Sequence, residues 1–110
     1  MLPKINRLTK KKDFEVVFKK GRSIKNGFLV CKILESQLPE SRFGFVVSKK
    51  VSNKATVRNK VKRRLRDVVH ARLKNTKAGI DVIIIALPGI EKKEYLQIQE
   101  MVDGVFHNLR

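Results

Sequence analysis

The run Asp81–Leu87 (DVIIIAL) constrains the fold of this chain more than any other stretch. From Val82 onward it has no polar side chain on either face, and its three isoleucines and one valine are β-branched. Such a strand has to be covered on both sides, so it predicts a central strand in a sheet that carries packed helices. A membrane span is excluded here, because a bilayer-crossing helix needs about 20 apolar residues.

The segments around it extend the picture. Arg42–Ser48 (RFGFVVS) reads as a strand, with Phe43, Phe45 and Val47 on one face. Gly44 lies opposite them, where a backbone or ligand can approach closely. A helical stretch separates this strand from Asp81–Leu87, and strand, helix, strand predicts a parallel βαβ unit. Phe28–Leu34 (FLVCKIL) is an earlier strand. The polar connection Glu35–Ser41, which contains Pro39, makes it the expected antiparallel partner of Arg42–Ser48.

Helical spacing marks both ends of the chain. Met1–Leu8 is basic and extended. Lys10–Lys20 then places Phe14, Val17 and Phe18 at i, i+3 and i+4. Thr9 is positioned to cap this helix, and Gly21 to stop it as a C′ glycine after Lys19 and Lys20. Residues 22–26 read as a short loop ended by Gly27. Pro88 and Gly89 turn the chain into an amphipathic helix, Lys92–Arg110. Its stripe is Tyr95, Ile98, Val102, Val105, Phe106 and Leu109, with Glu91 and Glu94 near its positive end. The order α-β-β-α-β-α describes an α+β fold with a mixed sheet, and residues 1–110 form one domain, as is usual for this length.

Charge narrows the partners. The net charge is +16, and a domain with its cations clustered carries the electrostatic footprint of a nucleic-acid binder. Ser48–Lys74 holds eleven Lys or Arg and a single acid, Asp67. Turning about 100° per residue, Val57, Val61, Leu65 and Val68 fall on one stripe, which Val69 and Leu73 extend. Asn59, Lys62, Arg63 and Arg66 fall on the side away from it, with Arg58 at the border and Lys60 and Arg64 on the opposite flank. Ser52, Asn53 and Thr56 can each cap this helix, and Gly79 breaks the chain after it. Arg58, Lys62 and Arg66 follow one another at i, i+4 and i+8 with no acid between them, a spacing that repels. A stretch that accepts this repulsion serves a polyanion. Arginine suits phosphate through its planar two-pronged donor, and lysine through point charge.

Other classes fare worse. No helix pairs its basic face with an exposed aromatic belt, which argues against a membrane surface. The element order is not that of a helix-turn-helix, which argues against major-groove reading of DNA. Phe14, Phe18, Phe43 and Phe45 add aromatic surface suited to splayed single-stranded bases, although a phenylalanine stripe at helical spacing is more often core. The ten acids are dispersed, and His70 and His107 lie on separate helices, so no catalytic or metal constellation is visible in the chain. Cys31 is the single cysteine, which excludes an internal disulfide and a cysteine-rich zinc site and fits a reducing cytoplasm. The basic N-terminus has no apolar core of a signal peptide.

The run Ser48-Lys49-Lys50-Val51, followed by Arg58-Asn59-Lys60-Val61-Lys62-Arg63-Arg64-Leu65-Arg66, resembles the signature helix of the bacterial ribonuclease P protein subunit. Phe14, Phe18, Gly21 and Ser23 resemble the family's F-x-x-V-F-x-x-G-x-S. The strands Arg42–Ser48 and Asp81–Ala86 are similar as well, so the likeness spans nearly the whole chain. The resemblance implies a protein partner of a catalytic RNA. The particle hydrolyses the phosphodiester that joins the 5′ leader to precursor tRNA. The RNA subunit supplies the magnesium-dependent chemistry, the protein holds no cofactor, and no further protein partner is implied. It also implies that the βαβ crossover is left-handed.

By the same resemblance, Arg58, Asn59, Lys60, Lys62, Arg63 and Arg66, with Lys49 and Lys50, are expected to meet the RNA subunit. Phe14 and Phe18 are expected to line the leader cleft. Two positions depart from the family pattern. Lys60 stands where the family has a second arginine, which keeps charge and loses the bidentate fork. Cys31, which its apolar run marks as a small core or sheet residue, stands on the first strand where relatives carry an aromatic, so the stacking surface for a leader base is lost there.

Overall fold

The apolar run forms an inner strand, as its composition demands. In the computed structural model, which describes residues 2–109, the elements run α1 (Lys11–Lys20), β1 (Arg22–Asn26), β2 (Leu29–Glu35), β3 (Arg42–Val46), α2 (Ala55–Ala71), β4 (Ile80–Ala86) and α3 (Tyr95–His107). The sheet order is β1-β2-β4-β3, with β4 antiparallel to β2 and parallel to β3. The β3–α2–β4 crossover is the expected βαβ unit.

The N-terminal stretch, expected extended, holds a 3-10 turn at Lys4–Asn6, and three expectations about the strands and Gly21 are corrected. Residues 22–26 are not a loop but the edge strand β1, joined to β2 by a two-residue turn at Gly27–Phe28. Gly27 has φ 58°, the left-handed backbone that such a turn asks of its first residue. β1 escaped notice because Ile24 is its one apolar side chain, as befits an edge. Secondly, β2 and β3 do not pair: the β3–α2–β4 crossover lays β4 beside β3, and β4 takes the place between them, antiparallel to β2. Thirdly, Gly21 does not adopt a left-handed C′ conformation, its φ being −74°. It is needed for space, since a Cβ there would lie 2.5 Å from the Val17 carbonyl oxygen and 3.0 Å from that of Ile33.

Helix boundaries shift by a few residues. Lys10 and Lys54 take the N-cap positions of α1 and α2 without side-chain capping bonds, so neither Thr9 nor Ser52, Asn53 or Thr56 caps as expected. α3 starts at Tyr95 after a 3-10 turn at Ile90–Lys92, because Glu94 and Gln97 form a reciprocal capping box. Tyr95 is exposed rather than part of the buried stripe, and Met101 takes a place in it.

The two faces of the sheet are covered unequally. On one, α2 and α3 cover Leu29, Cys31, Ile33, Phe43, Val82 and Ile84. Val61, Leu65, Val68 and Val69 of α2 are buried there. Burying each contributes roughly 1.5–3 kcal/mol, against a few tenths for each like-charge pair on the outer surface, so packing fixes the helix. On the other face, α1 packs down through Val17 against Ile83, joined by Leu8 of the N-terminal segment, with Phe14, Leu34, Val46 and Ile85 at the margin.

Candidate nucleic-acid interface

The outer side of α2 carries the first part of the candidate interface. Asn59, Lys60, Arg63 and Arg66 are exposed, and Arg58 and Lys62 are half-buried. Asn59, Arg63 and Arg66, with Asp67, line a groove of about 420 Å³. Lys60 is turned to the other flank of the helix, as the helical spacing requires. On that flank Arg64 donates to the Lys93 carbonyl at 3.5 Å, so it faces α3. Arg58 is held back by donating to the Ser52 carbonyl at 3.0 Å. Lys49 and Lys50 are exposed on the turn before the helix, where Val51 N–H closes onto the Ser48 carbonyl at 3.0 Å. No acid pairs with any of these cations among the described residues, although Arg42, Arg72 and Lys77 elsewhere are paired.

A cleft beside α1 is the second part. The register places Lys25, Val30, Ile85 and Val46 in one row across all four strands, on the face that α1 covers. Val30, Ile85 and Val46 are half-exposed, so this row is an apolar floor at the margin of the α1 packing, with exposed Lys25 at its end. Phe14 and Phe18 form the wall, with ring centroids 6.5 Å apart and planes at 41°. Phe18 is 43% exposed and Phe14 is half-buried, while Val17 between them is 1% exposed. Within the stripe, then, Val17 serves the core and Phe18 faces outward. Cys31 does not face this cleft. It is buried under α2 and α3, and its neighbours Val30 and Lys32 point to the α1 side. Burial pushes the Cys31 thiol up to about 12, because desolvation disfavours the thiolate.

An ion-pair cluster that sequence reading missed fixes the cleft wall. Arg42 on β3 donates through Nε and Nη2 to both carboxylate oxygens of Asp81 on β4, at 2.8 and 2.7 Å. Its Nη1 reaches Asp13 on α1 at 3.2 Å. The Asp81 hydrogen bond raises the Arg42 pKa further above its ordinary value, against a smaller desolvation effect. This clamp ties α1 to the sheet one residue before Phe14. Its three members lie far apart in the chain, and no local pattern joins them.

The two parts meet at Arg66. Its guanidinium carbon stands 6.0 Å from the centroid of the Phe45 ring, within cation–π range. Phe45, Phe14 and Arg66 line a common pocket of about 210 Å³ at the outer edge of β3. A basic helix face and an aromatic cleft are therefore continuous. His70 and His107 are exposed on separate helices, His70 one turn beyond Arg66 on α2 and His107 at the end of α3.

Comparison with known proteins shows the family and the fold. The family model described as Ribonuclease P matches residues 2–110. The ribonuclease P protein component of a Synechocystis species is 44% identical over 88 residues, which cover 79% of this chain and 71% of that protein. The corresponding component from a Pseudanabaena species is 37% identical over 106 residues, covering 96% and 91%. Among solved structures, the Staphylococcus aureus RNase P protein superposes with a TM-score of 0.85 at 32% identity, covering 94% of each chain. The Thermotoga maritima RNase P protein gives a TM-score of 0.86 at 27% identity, covering 94% of this chain and 97% of that one. From its signature helix to its mixed sheet, this chain belongs to the ribonuclease P protein family.

Proposed function

We propose that this chain is the protein subunit of a cytoplasmic ribonuclease P, holding the catalytic RNA with α2 and the 5′ leader of precursor tRNA with the cleft beside α1. The observation that carries this reading is the continuity of the two surfaces through Arg66 and Phe45. One bound RNA can be gripped by its phosphates along α2 while a neighbouring single strand lies on the aromatic wall.

The chain's own residues then position rather than cut. Arg63 and Arg66 offer paired N–H donors to phosphate oxygens, and Lys49, Lys50, Lys60 and Lys62 add charge without fixed geometry. Phe18 and Phe14 give bases a stacking surface, and the apolar floor of Val30, Ile85 and Val46 keeps that side of the strand out of water. Among the described residues, no three His, Cys, Asp or Glu side chains come together in a set that would hold a metal ion. Magnesium belongs to the RNA in this scheme, as does hydrolysis of the phosphodiester between leader and tRNA. No protein partner is required.

The test is the affinity of the assembled particle for tRNA with and without a leader. Tighter binding of the leader-bearing substrate, by tenfold or more, is expected from one or two stacked bases. Equal affinities would point to a purely structural RNA-binding role.

A further inference from the structure

The pocket at the outer edge of β3 has features that neither a phosphate track nor an apolar cleft requires. Its volume of about 210 Å³ lies below the roughly 300–1,000 Å³ of pockets that hold drug-sized ligands. That is room for one planar heterocycle. Arg7, Phe14, Gly44, Phe45 and Arg66 line it. With Phe43, three of the lining residues are aromatic and two are cationic, and the Phe14 ring lies on Gly44.

The backbone of β3 adds a hydrogen-bonding edge. The N-terminal segment covers β3 through a single bridge, Arg7 to Phe43, where Leu8 N–H donates to the Phe43 carbonyl at 2.9 Å. Phe43 therefore turns its backbone polar groups outward. Alternation along an edge strand turns those of Phe45 the same way, past the point where the segment pairs. One N–H and one C=O at the pocket wall match the adjacent donor and acceptor of a nucleobase edge. The Arg66 guanidinium lies over the Phe45 ring, so the pair supplies a planar surface for stacking, with its positive charge near the attached phosphate.

We propose that this pocket takes a single unpaired nucleobase of RNA, stacked at Phe45 and met along its edge by the Phe45 backbone. The site rests on the reading of the chain as an RNA-binding subunit, and it lies at the junction of the two surfaces rather than on the floor of the cleft.

The test titrates the isotope-labelled full chain with a short oligoadenylate RNA and with a ribose-phosphate strand of equal length that lacks bases. The Phe45 amide resonance is expected to move with oligoadenylate and to stay in place with the baseless strand. Phe45→Leu, which keeps an apolar side chain against the core, is expected to weaken oligoadenylate binding about fivefold or more and to leave the baseless strand unaffected. A Phe45 amide that ignores oligoadenylate, or responds equally to both strands, overturns the pocket. So does an unchanged oligoadenylate affinity in Phe45→Leu. Should that variant fold poorly, the amide shifts of the unaltered chain decide alone.

In the assembled particle, a loss confined to leader-bearing tRNA assigns the base to the leader, and a loss of RNA-subunit affinity assigns it to that RNA. Either supports the site, and no change in both contradicts it. Leader cleavage that persists without any such change removes the pocket and leaves the proposed function standing.

Discussion

Phe14 lies directly on Gly44: a Cβ added at Gly44 would be 2.4 Å from Cζ of the Phe14 ring. The strand glycine is thus the seat of an aromatic residue that faces both the cleft and the β3-edge pocket. Gly44→Ala is expected to push Phe14 off this seat. The clashing atom is the far end of a half-buried side chain, so the cost in stability should stay near the low end of overpacking, about 1 kcal/mol. Denaturant unfolding checks that figure. Binding assays on the assembled particle should show weakened leader-dependent affinity with unchanged affinity for the RNA subunit.

Phe18→Ala separates core from contact. With 43% of Phe18 exposed, truncation is expected to cost less than the 3–5 kcal/mol of a buried phenylalanine and to leave the fold intact. Leader-dependent affinity should drop by about 1–3 kcal/mol, the worth of one stacked base. Unfolding of the domain by this change would return Phe18 to the core.

Arg63→Ala and Arg66→Ala address the α2 surface. Each is expected to weaken RNA-subunit binding and to reduce its salt dependence by about one unit of slope for every phosphate the variant no longer neutralises. Titrations at several salt concentrations read the slope directly. Lys60→Ala, on the opposite flank, should change the slope without the larger loss that follows removal of a bidentate fork.

Cys31 gives a pH dependence with a definite sign. Burial raises its pKa from 9.0 to about 12 in the folded chain. Below pH 9 both states keep the proton and the contribution is constant. Between pH 9 and 12 the unfolded state binds fewer protons than the folded one, so stability falls as pH rises, by about 1.4 kcal/mol per unit at most. Denaturant melts from pH 8 to 11 should show the decline, and Cys31→Ala should flatten it. For the same reason a thiol reagent at pH 8 is expected to react at the rate of chain opening.

Much of this was legible in the sequence because a few side chains carried unambiguous physics. The polar-free Val82–Leu87 run had to be central, and it is. Val61, Leu65 and Val68 dock α2 as their spacing required, leaving Asn59, Arg63 and Arg66 outward. What escaped depended on partners distant in the chain. β1 has one apolar side chain and is a strand because β2 pairs with it. The Asp13–Arg42–Asp81 clamp joins residues up to 68 positions apart in three elements (81 − 13 = 68). Within the α1 stripe, helical spacing could not tell Val17, which touches Ile83, from Phe18, which overhangs the sheet. The facing of Cys31 likewise needed the register, which sets Lys32 rather than Cys31 on the α1 side.

The most direct measurement is reconstituted cleavage of a leader-bearing precursor tRNA at low magnesium. The purified chain is combined with a bacterial ribonuclease P RNA, and each is also assayed alone. Cleavage at the leader junction is expected from the combination and not from the protein by itself, with the RNA alone markedly slower at that magnesium concentration. A protein that cuts the precursor without RNA, or one that leaves the RNA's rate unchanged, would contradict the assignment of binding to α2 and the cleft and of chemistry to the RNA.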